Sequence, residues 1–400
     1  LHLFLWCSMK NKATVWIAFL TFVSLGIGDG VFGIAWPSIR GDFGVGLEAL
    51  GLLMVPGVIA FTLGSSNSGA IIRRIGIAKL LIIAIILRSL AFLLQSQAQV
   101  WPLMVVGSVM LGLSNSGIDS GMNTYMATSQ GAREMNWMHG FYGVGTTIGP
   151  LIMTRLLVVG NSWRLGYVIM VGLQAVLLVL FLLSRNKWGN GSFADESNEP
   201  QQQAPMKATL RLPAVWLGML IFFLYTGTEV TAGQWAFTLF TEGRNAPVEV
   251  AGYWVSAFWG TFTIGRFLLG SLSGRVSDKV LLRASLAGSV VGLGMLWWNP
   301  QPMVAYVGLA FSGFAMAVVY PMMMTETPRR VGRIHSANAI GLQVSVAGLG
   351  VGLVSGVAGW LADRFSLESI PAMLVGFAII LLLSYEGLLR FSKRPSQSNG

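Results

Sequence analysis

Residues 163–184 read WRLGYVIMVGLQAVLLVLFLLS, twenty-two residues with a single charge, Arg164. A helix of that length, rising about 1.5 Å per residue, covers the ~30 Å hydrocarbon core of a bilayer. The adjoining stretch is of the opposite kind. Residues 184–213 are polar, with Asp195-Glu196-Ser197-Asn198-Glu199-Pro200-Gln201-Gln202-Gln203 at their centre, poor in aromatics and rich in Gln, Asn and Pro. That is the composition of a flexible linker. Working outward from this junction, the chain repeats the apolar pattern on both sides. Candidate spans fall at 13–36, 47–70, 77–96, 101–128, 136–159 and 163–184 before the linker. They fall at 211–240, 248–272, 280–298, 300–325, 334–360 and 367–391 after it. The expected fold is an all-α membrane protein: twelve transmembrane helices in two pseudo-symmetric six-helix bundles. The expected boundaries are an N-terminal tail at 1–12, bundles at 13–184 and 211–391, a linker at 185–210 and a tail at 392–400.

Composition agrees. Of the 400 residues, 54% are hydrophobic and 10% charged, with a mean hydropathy of +0.66. Soluble domains carry about 25% charged residues, so a soluble or disordered chain is excluded. Barrel strands alternate apolar and polar residues over about 10 positions, and these runs do not. The net charge of +10 does not point to nucleic acid, because the cations sit between apolar runs and form no stripe with aromatics. They report topology instead. With the N-terminus placed in the cytoplasm, nineteen of the 26 Lys and Arg residues fall on the inside, five on the outside, and Arg88 and Arg266 within helices. This bias predicts cytoplasmic termini and linker, in the plasma membrane. On that side the Asn190-Gly191-Ser192 sequon is idle. Met9-Lys10-Asn11-Lys12 reads as a natural start, and the apolar Leu1–Ser8 stretch does not read as a signal peptide, which puts its charges first. Cys7 is the single cysteine, so no internal disulfide forms.

The halves look related. Asp29 and Glu229 lie 200 residues apart, and Arg133/His139 and Arg329/His335 share one spacing. Gly/Arg clusters follow the second and eighth spans, at 69–76 and 270–277. Together these suggest duplicated bundles related by an axis along the membrane normal.

Five charges fall within predicted spans: Asp29, Arg88, Asp119, Glu229 and Arg266. A charge at the bilayer centre costs about 2.5–3.5 kcal/mol on insertion scales, so it faces a partner or a watery cavity. Counting the helical rise puts Arg88 roughly 16 Å and Asp119 roughly 14 Å from the inner face, with Asp29 and Glu229 at roughly 24 Å. Arg88 and Asp119 therefore look like a pair, and Arg266 has no equally clear partner. Asn115, Asp119 and Asn123 stack on one face at i, i+4, i+8. Asp119 reads either as a proton-binding carboxylate in a cavity wall or as half of a structural ion pair. Glu229, with Gln234 and Trp235 nearby, offers acceptors and a flat apolar face for a polyol, or else caps a helix break. His139 and His335 read as packing residues more readily than as proton relays. Trp36, Trp101, Trp254, Trp259, Trp297 and Trp298 suggest an interfacial belt. Gly145/Gly149 and Gly348/Gly352/Gly356 suggest close helix contacts.

The layout resembles the major facilitator superfamily. Gly69, Arg74 and Gly76 match the Gly-x-x-x-Asp-Arg-x-Gly signature of its gating loop, with Arg73 where the family has Asp. A finer resemblance is to the fucose permease and bacterial glucose permease branch, carried by Asp119-Ser120-Gly121-Met122-Asn123, by Asn136-Trp137-Met138-His139-Gly140-Phe141-Tyr142-Gly143 and by Thr226-Gly227-Thr228-Glu229 with Gly233-Gln234-Trp235. The branch's first-helix acid stands where Gly33 is here, and Asp29 lies one turn deeper. The resemblance implies a proton-linked acid at Asp119 and an amide in the sugar pocket at Asn123.

These readings define an expected function: a secondary transporter that takes up a small polar solute, a monosaccharide first, with protons, by alternating access. Asp119, Asp29 and Glu229 are its coupling acids, and Arg88 and Arg266 their charge partners. Asn115, Asn123, Gln234, Asn338 and Gln343 supply amides, and Tyr142, Tyr320 and Trp235 aromatic platforms. One rival is efflux of drugs or amphipathic lipids, which suits the 19 methionines. Another is a non-transporting sensor or scaffold. No phosphate-loop, metal-cluster or nucleophile motif is present, so an enzyme and a cofactor are not expected. The expected partners are the solute, H+ and the lipid bilayer, with no nucleic acid and the protein a monomer.

Overall fold

Glycine, proline and short polar turns cut the apolar runs into helices. The structure, a computed structural model, describes residues 12–188, 204–272 and 275–391. Cys7, the Asn190 sequon, most of the linker and the C-terminal tail lie outside the described residues. The helices are α1 (Lys12–Phe43), α2 (Ala49–Ile75), α3 (Ile77–Gln97), α4 (Trp101–Ser129), α5 (Ala132–Val158) and α6 (Trp163–Ser184). After the linker come α7 (Met206–Thr209), α8 (Pro213–Thr238), which runs into a π-turn at Leu239–Gly243, and α9 (Val248–Leu272). The chain then forms α10 (Asp278–Trp298), α11 (Pro302–Met316), α12 (Val319–Val331), α13 (Arg333–Arg364) and α14 (Ser369–Phe391).

Among the described residues eleven segments are long and apolar enough to cross a membrane, α11 and α12 counting together as Pro302–Val331. α9 is as long, at 25 residues, but Tyr253, Trp254, Thr261, Thr263 and Arg266 dilute its apolar character. With α9 the long helical segments among the described residues number twelve, as the sequence predicts.

Two boundaries correct the sequence reading. The span expected at 300–325 is broken between Met316 and Val319 and continues to Val331. The cause is Pro321, which donates no hydrogen bond and whose ring clashes with the carbonyl four residues before it. α1 runs through Pro37 to Phe43 where the apolar run ends at 36. Single glycines join two helix pairs: Gly76 (φ +80°) between α2 and α3, and Gly332 (φ +84°) between α12 and α13. Both sit in the left-handed region that glycine tolerates.

The chain divides into two compact units, one holding α1–α6 with residues 246–256, the other α7, α8, α10–α14 and the rest of α9. The same packing order appears inside each. In the first, α1 lies on α5, and α3 on α4 and α6; in the second, α8 lies on α13, and α10 on α11 and α14. Glycine makes the closest approach in both. A Cβ at Gly26 would meet the Tyr142 carbonyl, and one at Gly145 the Val23 carbonyl. In the second unit a Cβ at Gly227 would meet Val354, and one at Gly350 the Phe223 carbonyl. Without side chains in the way, the backbones approach and dispersion replaces the hydrophobic driving force that lipid does not supply.

Two of the tryptophans expected in an interfacial belt are core residues instead. Trp297 and Trp298 are exposed, whereas Trp36 and Trp259 are core residues. Trp36 packs edge-on against Trp101, and Trp259 lies against Phe258 and Phe262.

Candidate functional site

In the first unit the glycines of α1 set the site. Gly26 and Gly30 draw α5 against α1, which brings Tyr142 beside Asp29. The Tyr142 hydroxyl donates to Asp29 Oδ2 at 2.8 Å. Gly28 leaves room on the other side: a Cβ there would meet Arg88 Nη2. Arg88, 1% exposed, acts electrostatically on Asp29. Its Nη1 donates to Asn115 Oδ1, its Nη2 reaches the Leu25 carbonyl at 3.5 Å, and its guanidinium lies 5.0 Å from the Phe92 ring centroid. Asp29, Arg88, Asn115 and Tyr142 thus form one network drawn from four helices.

This corrects the pairing expected from helix heights. Arg88 turns to Asp29 and Asn115, and Asp119 is left beside Asn123, one turn further along α4. Asn123 Oδ1 lies 3.1 Å from His139 Nε2, and the His139 ring meets Phe22 edge-on. A second polar line therefore runs Asp119–Asn123–His139 from α4 to α5. Among the described residues no arginine or lysine pairs with Asp119.

The second unit holds a matching set. Glu229, 9% exposed, stands one helical turn from Tyr225 and interacts with the charge of Arg266. Arg266, which had no partner in the sequence reading, therefore answers Glu229, and its guanidinium stacks 4.5 Å from the Phe262 centroid. Tyr225 was missed as a site residue, although it stands four positions before Glu229, one helical turn away. Its hydroxyl donates to the carbonyl of Met316, the last residue of α11, at 2.9 Å. Tyr320 packs against Phe222 and Tyr225.

Other expected ligands are used by the fold itself. The Trp235 indole, 1% exposed, donates to the Ser355 carbonyl at 3.2 Å. Asn338 donates to the Ala204 carbonyl and to Thr209, and His335 also bonds Thr209, so both pin α7 to α13. Gln343 accepts from Thr327 at 2.9 Å and sits over Gly218. Gln234 is buried in α8. In the α2–α3 turn Arg73 and Arg74 are exposed and form no ion pair among the described residues. A Cβ at Gly69 would meet only Arg73. The buried Glu326–Arg330 pair was also missed, because the expected span stopped at 325.

The family model of the Major Facilitator Superfamily matches residues 18–354. The glucose/mannose transporter GlcP of Bacillus subtilis is 22% identical over 292 residues, covering 70% of this chain and 71% of that protein. Among solved structures, a variant of the nucleoside transporter NupG gives a TM-score of 0.79 at 12% identity, over 94% of this chain and 100% of that one. A variant of the Escherichia coli fucose:proton symporter FucP gives 0.61 at 15% identity, over 96% and 99%. The structural likenesses carry the fold, and the sequence match runs through both bundles. The chain belongs to the Major Facilitator Superfamily of membrane transporters.

Proposed function

We propose that the protein imports a small uncharged polar solute, a monosaccharide first, together with protons across the plasma membrane by alternating access. One observation carries the choice of an uncharged solute. Each bundle's membrane-embedded arginine already interacts with the charge of an acid of its own, Arg88 with Asp29 and Arg266 with Glu229. An anionic solute has to compete with those acids for the two arginines. A polyol needs only donors and acceptors, which Asn115, Asn123, Tyr142 and Tyr320 supply. The sugar-transporting relative supports the same class. Asp119 is the proton carrier of this account, since no cation holds it and Asn123 links it to His139. Asp29 and Glu229 assist by holding the two arginines.

A second reading, efflux of amphipathic compounds, draws on the cluster of Phe222, Tyr225, Tyr320 and Met323, which suits apolar ligands. A thermal-shift screen on purified protein separates the two, because a ligand of the folded state raises its melting temperature. Stabilisation by hexoses is expected. Stabilisation by hydrophobic cations and by no sugar, with Asn123→Ala indifferent, defeats the sugar reading.

A further inference from the structure

The start of α10 and the end of α14 enclose a groove of about 300 Å³ lined by Lys279, Arg283, Glu386, Leu389 and Arg390. It belongs to neither polar network described above. Arg283 is fixed in place: its Nε and Nη2 donate to the two carboxylate oxygens of Glu386 at 2.5 and 2.6 Å. That pair uses the groove's one acid. The nearby Asp278 carboxylate faces Arg329 at 3.7 Å. Lys279 and Arg390 remain, both exposed and without a partner among the described residues. A Cβ at Gly387 would meet nothing within 4 Å, so the space beside Glu386 is open. The groove therefore carries two uncompensated cations beside an ion-paired guanidinium, in a volume that suits a small ligand.

We propose that this groove binds the phosphate headgroup of an anionic membrane lipid. The helix faces below it favour a lipid over a free anion. Along α14, Arg390, Glu386, Leu383 and Ile379 follow one another at helical spacing, and Leu383 and Ile379 are 64% and 42% exposed. Along α10, Arg283 is followed one turn on by Ala287, which is exposed, and the apolar Val291 beyond it is 56% exposed. Each face is cationic at the helix end, where a spanning helix meets the headgroups, and apolar further in, where acyl chains lie. Basic pockets between membrane helices hold anionic headgroups in this way. A free phosphate uses the charged end only.

The test titrates purified full-length protein in neutral detergent with phosphatidylglycerol, phosphatidylcholine or inorganic phosphate, reading the melting temperature and the lipid retained in native mass spectrometry. Phosphatidylglycerol is expected to stabilise and to be retained, and the other two to do neither. The double variant Lys279→Gln/Arg390→Gln, which keeps the Arg283–Glu386 pair, is expected to weaken phosphatidylglycerol binding about 30-fold, taking ~1 kcal/mol per cation. Each single substitution is expected to weaken it about fivefold on the same scale, so the reading survives a double variant that does not fold. Equal binding of phosphatidylcholine, or undiminished phosphatidylglycerol binding in the variants, overturns the proposal. Stabilisation by inorganic phosphate equal to that by phosphatidylglycerol makes this a free-anion site and overturns it too.

Discussion

Arg88 is the residue through which the first bundle's polar side chains meet. It bonds Asn115, reaches the Leu25 carbonyl, stacks on Phe92 and answers Asp29. Arg88→Gln leaves the Asp29 carboxylate without its cation and takes the donor from Asn115, and the expected loss of stability is ~1–3 kcal/mol. Adding Asp29→Asn removes the stranded charge, so the double variant is expected to recover part of that loss. Melting of the two single variants and the double variant completes the cycle. A coupling of about 1 kcal/mol or more is expected, and strictly additive losses set the two residues apart. Both charges were legible in the sequence, but their pairing was not. The rise per residue compares Cα heights, and it put Arg88 roughly 8 Å below Asp29. The long arginine side chain closes that gap, and Gly28 gives it the space. The amides misled for a similar reason. Residue type alone does not say whether Asn338 or Gln343 faces a solute or the chain's own backbone.

At the scale of the helix, glycine decides how the bundles pack. Gly145 and Gly149, read from the sequence as contact residues, do seat against the Val23 and Ile27 carbonyls of α1. Gly145→Leu forces those backbones apart, with an expected loss of ~1–3 kcal/mol or more. Gly172→Leu on α6, where a Cβ meets nothing within 4 Å, is expected to leave the melting temperature unchanged. Equal melting of the two variants contradicts this account of the α1–α5 contact. On α13 a carbonyl contact is made by Gly350, which the small-residue pattern at 348, 352 and 356 bypassed. That pattern fixes spacing along a helix but not which way the helix is turned. The α11–α12 break shows the opposite case, since Pro321 announced it and the apolar run concealed it.

At the scale of the molecule, the fold was the most legible feature, because membrane crossing is set by length and apolar content, and the polar linker divides the chain visibly. Orientation rests on the lysine and arginine bias. A reporter fused after residue 200 is expected in the cytoplasm, and an extracytoplasmic reporter overturns both the topology and the linker's placement. The solute was the least legible, because specificity lies in a few contacts that composition does not order. The central claim is that a proton carried by Asp119 drives uptake, and it is tested most directly in proteoliposomes holding an imposed pH gradient, with radiolabelled glucose outside. The wild-type protein is expected to accumulate glucose above equilibrium. Asp119→Asn is expected to abolish that accumulation while preserving counterflow exchange. Undiminished gradient-driven accumulation by Asp119→Asn contradicts the account.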